Sequence, residues 1–222
     1  MRAAACLSIL LLAGVSAFSP LPQGDLAESL LAQMTPEERV GQLFLLTFKG
    51  SRLQSDDPIL ALIRDSHISG IVLRSGNNNF VGPENTLSTL RELITTLQST
   101  EYEASLPRTE GELEIEPGVY LPLLISVVQE GNGPEYSEIM SGLSPMPSQM
   151  ALGATWDPVL SRSTGALIGS ELSAAGINLL LGPSLDLLED PRQLDLGDIG
   201  VRSFGGDPYW VGVMGKAFIE GV

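Results

Sequence analysis

Helical patterns and short, wholly apolar runs take turns along this chain, and that alternation constrains its fold more than any other feature. Apolar residues at helical spacing occupy Leu26, Leu30, Leu31 and Met34. "TPEE" then opens a helix, with Thr35 as cap, Pro36 in the first helical position and Glu38 placed to reach back to the cap amide. "QLFLLTF" reads as a first strand. "DPILALIRDSHI" reads as a helix and "SGIVLR" as a strand, and "GPENTLSTLRELITTLQ" puts Leu87, Leu90, Ile94 and Leu97 on one helical face ahead of the strand "LPLLISVV". "DPVLSRSTGALIGSELSAAG", opened by Asp157 and Pro158 and closed by Gly176, precedes the strand "INLLLGP". "DPYWVGVMGKAFIEGV" opens on the same Asp-Pro pair.

Strands without an alternating polar face are buried on both sides, which is the signature of parallel βα units. Such units build either an open doubly wound sheet or part of a (β/α)8 barrel, and periodicity does not separate the two. In both, ligands bind at the carboxyl ends of the strands. Lys49, Arg74, Gln129, Glu130 and Asp186 therefore fall near one rim. One stretch breaks the rhythm: "STEYEASLPRTEGELEIEPGVY" is rich in glutamate and lacks a core-forming face, so it reads as a solvated excursion before the third strand. It contains no spaced Asp/Asn loop of a calcium-binding kind.

The amino terminus has the pattern of an export leader. Arg2 is followed by "AAACLSILLLAGV", too short to span a bilayer, and small residues precede a cleavage point after Ala17. Residues 1–17 are thus expected to be a signal peptide and residues 18–222 the mature domain, exported and free of the membrane. Cys6, the one cysteine, lies within the leader, so the mature chain carries no disulfide.

Several functions are excluded by what the 222 residues hold. A net charge of −15 with only 12 Lys and Arg argues against nucleic acid and anionic membrane surfaces. The single histidine, His67, suits a structural role, and without cysteine it gives no metal cluster. No P-loop or G-x-S-x-G elbow is present, and no cofactor is implied. What remains is carboxylates and arginines. Paired carboxylates suit glycosidic cleavage, where one protonates the leaving oxygen and the other attacks or activates water. Glu130 and Asp186, each at a strand end, are able to face one cavity, although Gln129 and Glu130 read equally as turn residues and Asp186 as a turn cap. Arg202, in the glycine-punctuated "GDIGVRSFGGDP", is placed to orient a ligand hydroxyl or to pair with Asp198.

Taken in order, "LLAQMTPEERVGQLFLL", "HISGIVL", "PLLISVVQEGNG", "SQMALGATWDPVLSRSTGALIGSELSAAGINLLLGPSLDLLEDP" and "GVRSFGGDPYWVGVMGKAFIEGV" resemble the amino-terminal domain of glycoside hydrolase family 3. The nearest likeness is to the bacterial β-N-acetylhexosaminidases. The resemblance implies the first part of a TIM-type (β/α)8 barrel, with about half of its βα units, whose rim holds a retaining glycosidase site. It carries over Gln129, Glu130, Asp186 and Arg202 as substrate-binding positions. Where the family places a sugar-binding Asp ahead of Gln-Glu-Gly-Gly-Arg, this chain has Val128, with Asn132 and Gly133 at the second glycine and the arginine. A further ligand-contacting arginine of that branch has no counterpart, because no Lys or Arg occurs between Gln129 and Ser161. The family's Lys-His-rich stretch with its proton donor, and its nucleophilic Asp, would follow Val222, so no catalytic residue is assigned within these residues.

Two functions follow as expectations. One is part of an exported glycosidase acting on β-linked sugars, N-acetylglucosaminides above others, inactive by itself. The other is a non-catalytic member that binds carbohydrate or a protein, favoured by Val128. In either case, open sheet edges would invite self-association.

Overall fold

The computed structural model describes residues 23–110, 113–131, 137–188 and 199–222. The chain divides into two compact units, Met1–Gln33 and Met34–Val222. In the first, helix α1 spans Gln23–Gln33, and the Gln33 amide donates back to the Ser29 carbonyl at 2.9 Å. The leader positions lie outside the described residues.

The second unit follows the alternation read from the sequence. Helix α2 (Pro36–Gly41) starts on the expected capping box: Glu38 N donates to Thr35 Oγ1 at 3.1 Å, and Thr35 N donates to Glu38 Oε2 at 2.7 Å. There follow β1 (Leu45–Leu46), α3 (Pro58–Ser66), β2 (Gly70–Leu73) and α4 (Thr86–Ala104). Next come β3 (Arg108–Glu110), β4 (Leu113–Ile115), β5 (Leu124–Val127), α5 (Gln149–Gly153), α6 (Pro158–Ala175), β6 (Leu179–Leu180) and α7 (Pro208–Gly221). Asp157 and Asp207 cap α6 and α7 through their side chains, and Gly176 ends α6 with φ 96°, a left-handed turn that glycine adopts without strain.

Four strands form one parallel sheet in the order β1-β2-β5-β6. Each strand is hydrogen-bonded to the preceding strand of the sheet, so among the described residues the winding never reverses. A doubly wound sheet would show a switch point; unbroken sequential order is how a (β/α)8 barrel begins. Between strands and helices lies one apolar core, in which Ile63, Ile71, Leu73, Leu90, Leu97, Leu123, Ile125 and Val127 are all fully buried. The two inner strands, β2 and most of β5, are buried as a continuous apolar pattern requires, whereas the outer β1 and β6 stay partly exposed.

Two expectations change. "QLFLLTF" shrinks to a two-residue strand because its first half turns back on α2, with Leu43 N bonded to Val40 O and Phe44 N to Gly41 O. The glutamate-rich excursion, in turn, is not merely solvated. Its start completes α4, its middle forms the antiparallel β3–β4 pair, and Glu101 is buried at 3% exposure. Its return passage is fastened to α4: Tyr120 packs edge-on against Tyr102 with centroids 5.4 Å apart, and Gln98 exchanges two hydrogen bonds of 2.9 Å with the backbone of Leu123.

Candidate functional site at the carboxyl ends of the strands

β5, apolar but for a buried Ser126 whose hydroxyl donates to the Ile71 carbonyl at 2.8 Å, ends at Val127, and the chain then delivers Val128, Gln129, Glu130 and Gly131 to the rim. Glu130 is nearly buried, its side chain 2% exposed, and its carboxylate is gripped by Arg202 from the short 3₁₀ turn Gly200–Arg202. Nε donates to Oε2 at 2.6 Å and a terminal nitrogen to Oε1 at 2.8 Å. This fork is a charge-assisted, two-pronged contact that fixes the plane of the guanidinium. Arg202 keeps about a third of its side chain exposed, 34%. One end of the pair is anchored in the protein and the other reaches the solvent at the rim.

The anchor has its own supports. Gln149, 2% exposed at the start of α5, donates its amide to the Glu130 carbonyl at 2.9 Å. Gly182, just past β6, faces the Glu130 side chain so closely that a Cβ there would stand 3.1 Å from its Cγ. Arg202's loop is held by Ser203, fully buried, whose one hydroxyl proton is within reach of the carbonyls of Asp186 at 3.0 Å and Gly205 at 2.8 Å and whose oxygen accepts from the Gly205 amide at 3.1 Å.

The other expected site residues divide. Asp186 is exposed and tied to Arg202's loop through its backbone rather than its carboxylate. Gln129 turns inward: its amide donates to the Ile139 carbonyl and accepts from the Ile139 amide, both at 3.0 Å, so the side chain splints the loop after β5. Val128 presents no polar group at the position expected to bind hydroxyls. Lys49 is exposed beyond β1. Arg74 pairs with Glu138 at 3.6 Å, and Glu138 also receives the amide and hydroxyl of Ser75. Asp198, Asn132 and Gly133 lie outside the described residues. Among the described residues no group of three or more His, Cys, Asp and Glu is placed to hold a metal ion, and no helix is long and apolar enough to cross a membrane.

Sequence reasoning missed Gln149, Ser203 and Asn79. Asn79 is fully buried, accepts from Arg74 N at 2.8 Å and donates to the carbonyls of Phe48 at 3.1 Å and Gly50 at 2.8 Å. It thereby ties the carboxyl ends of β1 and β2 together. A polar residue inside "SGNNNF" looks like any turn residue, so no local signal distinguished it.

Comparisons with known proteins agree with this architecture. The model of the glycosyl hydrolase family 3 N terminal domain matches residues 35–222. The β-N-acetylglucosaminidase/β-glucosidase of Cellulomonas fimi is 30% identical over 194 residues, covering 86% of this chain and 28% of that protein. A probable β-glucosidase H of Neosartorya fischeri is 41% identical over 76 residues, 34% of this chain and 9% of that one. The solved structure of a family 3 β-N-acetylglucosaminidase from a Paenibacillus species superposes with a TM-score of 0.69 at 31% identity, covering 85% of this chain and 31% of that one. The chain thus spans less than a third of the length of each of these relatives.

Proposed function

The chain belongs to glycoside hydrolase family 3, and from that membership we propose that its rim forms part of the sugar-binding site of a glycosidase acting on β-linked sugars, N-acetylglucosaminides above others. The observation that carries this reading is the fork between Glu130 and Arg202. It stands where (β/α)8 barrels bind ligands, and it aims a fixed, partly exposed guanidinium at the space where a sugar would lie. Glu130 acts as a positioning residue, holding the guanidinium in one plane. Arg202 donates to a sugar hydroxyl. Asp186, exposed beside the same loop, accepts one. Gln129, with its amide occupied by Ile139, shapes the loop rather than touching the ligand.

The relatives' names support the substrate class, since the proteins from Cellulomonas fimi and Paenibacillus are both described as β-N-acetylglucosaminidases. The leader-like first 17 residues support export. The reacting acid and nucleophile are not assigned to any residue of this chain.

A second reading is favoured by Val128. A valine accepts no hydrogen bond, so a hydroxyl packed against it would lose its partner, and discrimination among sugars would weaken. That suits a module that binds carbohydrate without cleaving it.

Calorimetric titration of the chain with N-acetylglucosamine, repeated on Arg202→Ala, tests the shared premise. Binding that Arg202→Ala abolishes supports the rim site. Equal binding by the two proteins, or none by either, removes it.

A further inference from the structure

Both tryptophans of the chain sit in one surface cluster. Trp156 and Trp210 meet edge to face with centroids 5.0 Å apart, and Tyr209 stands 5.7 Å from Trp210 in a similar arrangement. Large aromatic rings normally bury most of their area, yet Trp156 is 58% exposed and Tyr209 72% exposed. Trp156 also holds a left-handed backbone, φ 53°, a conformation that bulky residues rarely adopt and that tends to persist at functional positions.

The cluster lies on the rim's end of the molecule. Trp156 precedes the first turn of α6, and Tyr209 and Trp210 lie in the first turn of α7. Helices that follow parallel strands start on the side where those strands end. The link to the rim is direct: α5, three residues before Trp156, packs so tightly on Arg202's loop that a Cβ on Gly153 would stand 1.8 Å from the carbonyl oxygen of Phe204.

Carboxylates flank the rings. Asp157 Oδ1 accepts from the Val159 amide at 2.9 Å, and Asp207 Oδ1 accepts from the Trp210 amide at 3.0 Å. The second oxygen of each accepts no hydrogen bond among the described residues and remains able to receive a hydroxyl. Largely exposed aromatic residues with hydroxyl-accepting carboxylates next to them in the chain, Asp157 and Asp207, suit the two sides of a pyranose, its C–H face and its equatorial hydroxyls. The carboxylates disfavour an anionic ligand by like-charge repulsion.

We propose that Trp156, Tyr209 and Trp210 form a second saccharide-binding platform, beside the Glu130–Arg202 rim, that takes pyranose rings of a neutral β-linked oligosaccharide. The sugar class rests on the function proposed above, whereas the platform itself depends on no group of the rim. It extends recognition from one residue of the substrate to a chain of them.

Because both tryptophans lie in the platform, the protein's own indole emission reports its occupancy. The full chain is titrated with N-acetylchitotetraose, alone and as the Tyr209→Ala, Trp156→Asn and Arg202→Ala variants; asparagine at 156 tolerates the left-handed backbone. The expected result is a saturable emission change that Tyr209→Ala and Trp156→Asn each weaken about tenfold and that Arg202→Ala does not abolish, although it shifts the midpoint to higher sugar concentration. Three outcomes overturn the platform: no emission response to the sugar, a response that only Arg202→Ala removes, or an emission shift that follows protein concentration without sugar, which would mark a protein–protein face. If the emission change survives while calorimetry shows Arg202→Ala binding N-acetylglucosamine as well as the parent chain, the platform stands and the rim reading falls.

Discussion

Arg202 closes a two-pronged grip on Glu130 from 72 residues away, with contacts of 2.6 and 2.8 Å, and the carboxylate it holds is almost wholly inside the protein. Neutralising the buried carboxylate removes the charge-assisted fork from a guanidinium that is about two-thirds buried, which is a costly way to break an ion pair. Glu130→Gln is expected to destabilise the domain by about 2–3 kcal/mol, below the range for fully buried pairs because Arg202 is partly solvated. Adding Arg202→Leu to Glu130→Gln should recover part of that loss in urea unfolding. Independent, additive effects would show that the two side chains are not coupled.

Glu101 governs a pH dependence of opposite sign to most carboxylates. Burial pushes its carboxyl up to about 7; an amide hydrogen bond from Leu121 works against this, and the nearby charge of Glu38 adds to it. Its Oε2 is buried without a partner. The folded state therefore holds this proton more tightly than the unfolded chain, where the ordinary value is 4.5. Its effect on stability is most favourable below about pH 4.5, declines as pH rises to about 7, and is constant above that. The loss is at most about 3 kcal/mol. Melting temperatures measured across this window should fall less for Glu101→Gln than for the parent chain. Parallel curves would contradict the assignment.

Glu38 works the other way. Burial alone would raise its carboxyl, but hydrogen bonds from the Thr35 and Val119 amides and the Thr35 side chain outweigh it, so the net shift is downward. The stability it adds is present above its unfolded value and disappears as pH falls through its folded one. Glu38→Gln should flatten the acid limb of the stability profile and, by removing a like charge from beside Glu101, soften but not abolish the slope between pH 4.5 and 7, which burial of Glu101 sustains. Loss of that neutral-range slope in Glu38→Gln would refute the division.

Asn79→Ala should cost about 3 kcal/mol, because it leaves the Arg74 amide and the carbonyls of Phe48 and Gly50 without their partner. The effect is local as well as global. Hydrogen exchange should accelerate first around residues 48–50 and 74–79, and unchanged protection there would show that the clasp is not holding the two strand ends.

The sheet edges carry a further expectation. β1 and β6 each pair with one strand among the described residues, and Leu43, Phe44 and Leu45 beside β1 are exposed. Unpaired strand edges next to apolar surface template association. The chain expressed alone should be oligomeric in light scattering; a monodisperse monomer would contradict this.

The sequence by itself determined the order and kind of the elements. The capping box of Thr35 and Glu38, the Asp-Pro starts of α6 and α7 and the stop at Gly176 were all legible, because each depends on hydrogen bonds and dihedral preferences spanning four residues or fewer. Resemblance then supplied the barrel, which periodicity had left undecided between two architectures. Only the tertiary structure decided what the polar residues do. Gln129 and Glu130 are neighbours with the same local signal, yet one is turned onto Ile139 and the other onto Arg202. Glu101 lay in a stretch whose composition reads as solvated, and it is buried because the chain returns across α4 and covers it. Burial and long-range pairing depend on which segments meet in space, and that is set by the sum of the packing rather than by any one residue's neighbours in sequence.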